Sequence, residues 1–186
     1  HSGTSTSDQF EIGYLTSTGT DFDGRGMTPS FAITTNGIVT MPNQPAFNVG
    51  LGSNTNFGAN GTVDFDTTTG SGRFNTGSHY STSTGKFTAP VAGVYHFDCG
   101  LLFMSLSDNT NMGDAMLMRI NGSTCRYSFR RSYYVSNTTG AGGYYGDTVS
   151  ATLSLSANDY VTITQSYNVT THGNENYCYF QGHLIG

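Results

Sequence analysis

From Gly93 to Met104 the chain reads GVYHFDCGLLFM, and this run limits what the molecule can fold into more than any other. Tyr95, Phe97 and Cys99 fall at alternate positions. Residues two apart on a strand share a face, so the spacing predicts a β-strand through the centre of a sandwich. No stretch carries a helix signal. Apolar residues come instead in short alternating or aromatic-rich runs, punctuated by Gly, Asn, Ser and Thr. The runs predict strands over Phe10–Leu15, Ser30–Thr34, Ile38–Met41, Ala46–Leu51, Gly61–Phe65, Gly85–Ala89, Gly93–Met104, Met112–Ile120, Ser123–Phe129, Thr148–Leu155, Tyr160–Asn168 and Tyr177–Leu184. Asn121-Gly122 predicts a two-residue hairpin, because both turn positions need positive φ. Thr35-Asn36-Gly37 marks a second turn. Many short strands at regular spacing specify a sandwich or barrel, and the class is all-β.

Composition makes such a core feasible. Hydrophobic residues are only 35%, but there are 12 Tyr and 12 Phe, and aromatics bury large areas per residue. Charged residues are 10%, which fits a hydroxyl-rich surface facing an external medium better than a cytosolic enzyme. A formal net charge of −5 supplies no basic footprint for a nucleic acid. The local basic cluster of Arg126, Arg130 and Arg131 reads as solvated or interface residues. No apolar run approaches the ~18 residues that a bilayer span needs, so no membrane insertion is expected. The opening HSGTSTSDQF has neither the basic segment nor the apolar stretch of a secretory signal. The three cysteines, Cys99, Cys125 and Cys178, form no fully paired framework and fit no zinc spacing. Cys99 shares a face with Tyr95 and Phe97, and Cys178 shares one with Phe180. Both are expected in the core, as buried thiols or as a pair.

A boundary is expected at Met41-Pro42-Asn43-Gln44-Pro45, because two prolines within four residues forbid a central strand. Residues 1–44 then form a polar β neck or connector, and residues 45–186 the aromatic-rich head.

The stretch Asn75–Phe97, NTGSHYSTSTGKFTAPVAGVYHF, resembles the signature of the C1q globular-domain family. Asn75, Tyr80, Phe87, Gly93, Tyr95 and Phe97 stand at its spacing. Thr69 departs from it where a Phe is expected, leaving Phe65 or Phe74 to fill that space. Further landmarks follow in order: Pro45–Val49 resembles the family's opening strand, Leu117–Gly122 its middle hairpin, Leu153–Val161 its leucine strand and turn, and Tyr179–Ile185 its closing strand. The resemblance covers residues 45–186. It implies a ten-stranded jelly roll related to tumour necrosis factor, assembled as a homotrimer. The termini would sit together at the base and the opposite end would bind. The segment FAITTNGIVTMPNQPAF resembles the connector before such heads in phage tail fibres. The chain is therefore expected to be a virion-surface or extracellular receptor-binding head for a host-surface glycan or protein. The alternatives are a secreted animal recognition protein and a structural trimerisation cap.

Enzyme chemistry finds little footing. Asp64 and Asp66 would share a strand face like a glycosidase pair, but an acidic edge strand or a cation ligand explains them as well. No metalloprotease, nucleophile-elbow or phosphate-loop motif occurs, and His79, His96, His172 and His183 are scattered. Calcium, which the family often binds, wants several oxygen ligands. Asp108 and Asp114 in one loop, with Asn109 and Asn111, and Asn137 and Asp147 around another, are the candidates. For a glycan or protein ligand, Arg130, Arg131, Tyr133, Tyr134, Tyr144 and Tyr145 are the candidate contacts, read as lying in Gly-rich apical loops. The trimer interface is the competing role for the tyrosines. Sequons occur at Asn60, Asn121, Asn137 and Asn168.

Overall fold

The structure, a computed structural model, describes residues 10–15, 27–33, 36–70, 72–106, 112–128 and 143–186. The chain divides into two units, His1–Gln44 and Pro45–Gly186. In the first, β1 (Phe10–Leu15), β2 (Met27–Ile33) and β3 (Val39–Thr40) make one antiparallel sheet in that order.

The second unit holds β4 (Ala46–Gly50), β5 (Phe74–Thr76), β6 (Tyr80–Ser81), β7 (Lys86–Thr88), β8 (Gly93–Leu106), β9 (Met116–Ile120), β10 (Ser123–Tyr127), β11 (Gly143–Leu155), β12 (Tyr160–Gln165), β13 (Thr170–Thr171) and β14 (Tyr179–Leu184). One sheet runs β10-β9-β12-β7-β6. The other runs β11-β8-β14-β4-β5, with β13 added against β8. Every pairing is antiparallel. This is the expected jelly-roll sandwich. Ten strands were expected and eleven segments are described, of which β6 and β13 span two residues each.

The alternation in β8 closes the sandwich. Tyr95, Phe97, Cys99, Leu101 and Phe103 all turn inward and are buried. They meet Phe47 of β4, Phe87 of β7 and Phe180 of β14. Phe47 stacks on Phe87 with ring centres 4.9 Å apart, meets Phe180 edge-on at 4.9 Å, and lies 5.5 Å from Tyr80. Offset and edge-to-face contacts are the favoured geometries for rings. Cys99 and Cys178 are buried free thiols, and the Leu102 N–H donates to Cys178 Sγ at 3.2 Å.

The Asn121-Gly122 hairpin forms as expected, with φ of 50° and 82°. Its side chain adds a tie to the next strand. Asn121 Nδ2 donates to Asp159 Oδ1 at 2.7 Å, and Asn121 Oδ1 accepts the Tyr160 N–H at 3.0 Å. At the near end of the sandwich, Leu184 N–H donates to the Pro45 carbonyl and Val94 N–H to the Gly186 carbonyl. Both ends of the unit therefore lie at the end of the sandwich where β8 starts, Gly186 beside Gly93 and Pro45 on the other side of β14.

Three expectations need correction. Gly61–Phe65 is not a strand. Thr62 makes a single bridge to Thr164, and the Phe65 N–H donates to the Tyr80 hydroxyl rather than to a strand carbonyl. Val63 and Phe65 still point inward and are buried, so Phe65 fills the core space left by Thr69, while Phe74 is exposed. β11 begins at Gly143, five residues before the expected Thr148. β12 ends at Gln165 rather than Asn168, because the fully buried Gln165 organises the following loop. Its amide nitrogen donates to the carbonyls of Tyr167 and Val169 at 2.6 and 2.7 Å, and Oε1 accepts from Thr171 Oγ1.

Replacing Phe47 by Ala removes the ring shared by four aromatic neighbours and is expected to cost about 3–5 kcal/mol, read as a fall in the denaturation midpoint. Gln165→Ala leaves two loop carbonyls without their donor and is expected to cost about 2–3 kcal/mol. Amide hydrogen exchange across residues 166–171 would rise in that variant, and unchanged exchange would show that the loop holds itself.

Candidate functional site

Strand register places the candidate residues at the end away from Pro45 and Gly186. Leu155 pairs with Gly93 and Gly143 with Leu106, so β8 carries the chain from the end where the unit begins and closes to the far end, where β11 starts. Segments 112–115 and 166–178 lie at that far end too.

There the backbone departs from a regular ladder. Ser105 takes φ of 59°, a left-handed conformation that only a local constraint keeps in a non-glycine residue, and the β11–β8 register shifts between Gly143 and Tyr145. A bulge of this kind re-aims side chains. Tyr145 turns inward, is buried, and stacks on Phe103 at 6.4 Å and 18°. Tyr144 turns outward and is 56% exposed. Tyr145 is therefore a core residue on a strand, not a loop residue open to a ligand. The reason is that the strand starts early enough to give the two tyrosines opposite faces. Arg130, Arg131, Tyr133 and Tyr134 lie outside the described residues.

Tyr144 belongs to an aromatic group that the sequence did not reveal. Its ring is 6.1 Å from His172, and His172 meets Tyr177 edge-on at 5.9 Å and 87°. Tyr177, like Tyr144, is 56% exposed. The His172 N–H donates to the Leu102 carbonyl at 2.7 Å, which ties the loop to β8. Next to this group, Tyr179 lies flat over Gly100. A Cβ on Gly100 would stand 2.6 Å from the tyrosine ring, so only glycine allows the contact. A recess of about 270 Å³, lined by Gly100, Leu101, Leu102, Gly146, Asp147, Thr148, Tyr177 and Tyr179, opens on this outward face of the six-stranded sheet.

Of the four residues considered for calcium, two are described, and they come together. Asp147 has the parity of Tyr145 and Val149 on β11, so its carboxylate turns inward at the sheet edge. Its Oδ1 accepts the Thr148 N–H at 2.8 Å, and its Oδ2 is buried. Burial raises its pKa. The Ser128 hydroxyl and the Thr148 and Ala115 N–H groups oppose that rise, and the charge of Asp114 adds to it. Carboxylates are the oxygen ligands that a hard cation takes, and Asp114 and Asp147 supply two of the six or more it needs. Asn137 and Asp108 lie outside the described residues. Among the described residues, no three His, Cys, Asp or Glu side chains already converge on one point.

Asp66 Oδ1 accepts the Gly52 N–H at 2.7 Å and so anchors a loop, while partial burial raises the Asp64 pKa. The histidines are not all scattered, since His96 and His183 lie directly opposite on β8 and β14. Their separation of 87 residues hides this from any local pattern.

The raised pKa of Asp147 means that the folded chain binds its proton more tightly than the unfolded chain does. The stability linked to it is fully present below the ordinary carboxylate pKa of about 3.9 and is lost as pH rises through the folded value. In calcium-free buffer, Asp147→Asn is expected to raise the denaturation midpoint at pH 7, by a margin that shrinks towards pH 4. A variant less stable than the parent at pH 7 would contradict burial as the dominant influence.

The C1q domain family profile matches residues 46–185. The chain is similar to the solved globular domain of the zebrafish complement 1qA protein, at 19% identity, 77% coverage of this chain, 98% of that chain and a TM-score of 0.49. Solved structures with the same fold include Eiger TNF from S. frugiperda, at 12% identity, 77% and 93% coverage and a TM-score of 0.56. Murine APRIL aligns at 11% identity, 76% and 99% coverage and a TM-score of 0.53. No curated protein sequence matches the chain.

Proposed function

The chain belongs to the C1q domain family, and from that premise we propose that it works as a homotrimeric binding head, not as an enzyme. The observation that carries this reading is the outward face of the six-stranded sheet. A solvated sheet face is ordinarily polar, yet here Tyr177, Tyr179 and Leu102 gather around the floor made by Gly100 and Gly146. Aromatic enrichment around a packed centre is the mark of a protein interface. Three copies closing head to tail, this face of each meeting a different face of the next, would bury the surface in a closed ring.

The far end, remote from Pro45 and Gly186, is the proposed contact surface for a host-surface glycan or protein. Tyr144 stands at its rim, with Arg130, Arg131, Tyr133 and Tyr134 as further contacts. Calcium, if bound, would be held by Asp114 and Asp147, with Asp108 and Asn137 as additional ligands, and would stiffen the same end. Residues 1–44 serve as the connector. The likeness of that segment to phage tail-fibre connectors favours a fibre-borne adhesin on a virion over a secreted animal recognition protein. Among the described residues, no helix is long and apolar enough to cross a membrane.

Trivalency would turn a weak single contact into useful avidity. The chain is expected to show three times its single-chain mass by native mass spectrometry at micromolar concentration. Tyr177→Glu combined with Tyr179→Glu should yield a β-rich single chain with much weaker cell-surface or glycan-array binding. A single-chain species for the parent protein, or undiminished binding by the separated variant, would remove the reading. Tyr144→Ala is expected to weaken binding while leaving the trimer mass unchanged.

A further inference from the structure

We propose that His96, Asp98 and His183 form a binding site for a divalent first-row transition-metal ion, zinc being the natural occupant, on the outward face of the six-stranded sheet. The site is assembled within a single chain and holds whether or not copies associate. It lies towards Pro45, four residues along β8 from Gly100 and separate from Asp114 and Asp147.

The argument begins with register. His96 and Asp98 alternate with the buried Tyr95, Phe97 and Cys99, so both turn outward. His183 on β14 pairs directly with His96, and directly opposed residues share a face. Their ring centres are 5.8 Å apart. Two imidazoles sharing one metal through bonds of about 2.0–2.1 Å place their ring centres about 5 Å apart. A small swing of the exposed His183 ring therefore brings its nitrogen into reach. That swing is the step that turns a near-assembled group into a converged one.

The His96 nitrogens are already arranged for the task. Nε2 lies 3.0 Å from Asp98 Oδ2, close to the separation of two neighbouring ligand atoms around a small metal ion. Nδ1 lies 3.1 Å from Thr152 Oγ1 on β11. If Nδ1–H donates to that hydroxyl, the Nε2 lone pair is left facing a carboxylate, which is favourable only when something positive stands between them. A divalent cation bound to Nε2 and Asp98 Oδ2 fills that role. Thr152 then sets tautomer and ring orientation from behind, the usual role of an outer partner to a ligating histidine. Imidazole and carboxylate together suit zinc and its neighbours in the first row. A recess of about 250 Å³ beside Asp98, Gln181 and His183 leaves room for waters to complete the coordination.

Isothermal titration of the metal-free 186-residue chain with zinc chloride tests the proposal, with cobalt(II) as a spectroscopic probe. One ion per chain and a visible cobalt band are expected. His96→Ala and His183→Ala should each weaken binding at least about tenfold, and Thr152→Val about tenfold without changing the stoichiometry. The metal-free variants should keep the parent's circular-dichroism spectrum and native mass, so that lost binding reports lost ligands and not lost folding or assembly. His183→Gln serves as a second, milder change at the most exposed position. No binding at millimolar zinc would overturn the proposal, as would binding that survives His96→Ala combined with His183→Ala.

Discussion

The ring of Phe47 is wedged between the two sheets, and the rest of the second unit depends on that contact. It joins β4 to β7 through Phe87 and to β14 through Phe180, while Tyr80 closes the same cluster from β6. A chain with so few charged groups and such a modest share of aliphatic residues has little else to hold two sheets together. The aromatic cluster supplies large buried area at few positions, and this frees the remaining positions for Gly, Ser, Thr and Asn. It also fixes which face of every strand is outward. The surfaces discussed above are consequences of the core before they are features of function.

The core was readable because its signal is periodic. Tyr95, Phe97 and Cys99 announce an inward face by parity alone, and Asn121-Gly122 announces its turn by backbone requirement. Where a tertiary contact replaces a local rule, the reading fails. Residues 61–65 keep the inward alternation of a strand and bond β12 at Gly61 and Val63, but the Phe65 N–H goes to a tyrosine hydroxyl and the ladder stops there. Tyr144 and Tyr145 look alike as a pair between glycines, and only the bulge near Ser105 decides that one is outward and the other packed on Phe103.

The candidate sites were less legible than the fold for the same reason. Asp114 and Asp147 come from separate segments and were grouped with neighbours in sequence rather than with each other. His96 and His183 meet only because β14 returns beside β8. Tyr177 reads as the start of the closing strand, which begins at Tyr179, and nothing in the sequence joins it to His172. Sites built by strand pairing are invisible to any window shorter than the loop that joins the strands.

The placing of Pro45 and Gly186 at one end of the sandwich has a bearing on how the head can be rebuilt. Hydrogen bonds already run from the last strand to the first residue of the unit and from the start of β8 to the final glycine. A bridge of only a few residues would therefore join the two ends without distorting the sandwich, and new ends could be opened in an exposed turn such as Asn121-Gly122. The order of the strands along the chain is thus separable from their order in space. The head would tolerate circular permutation.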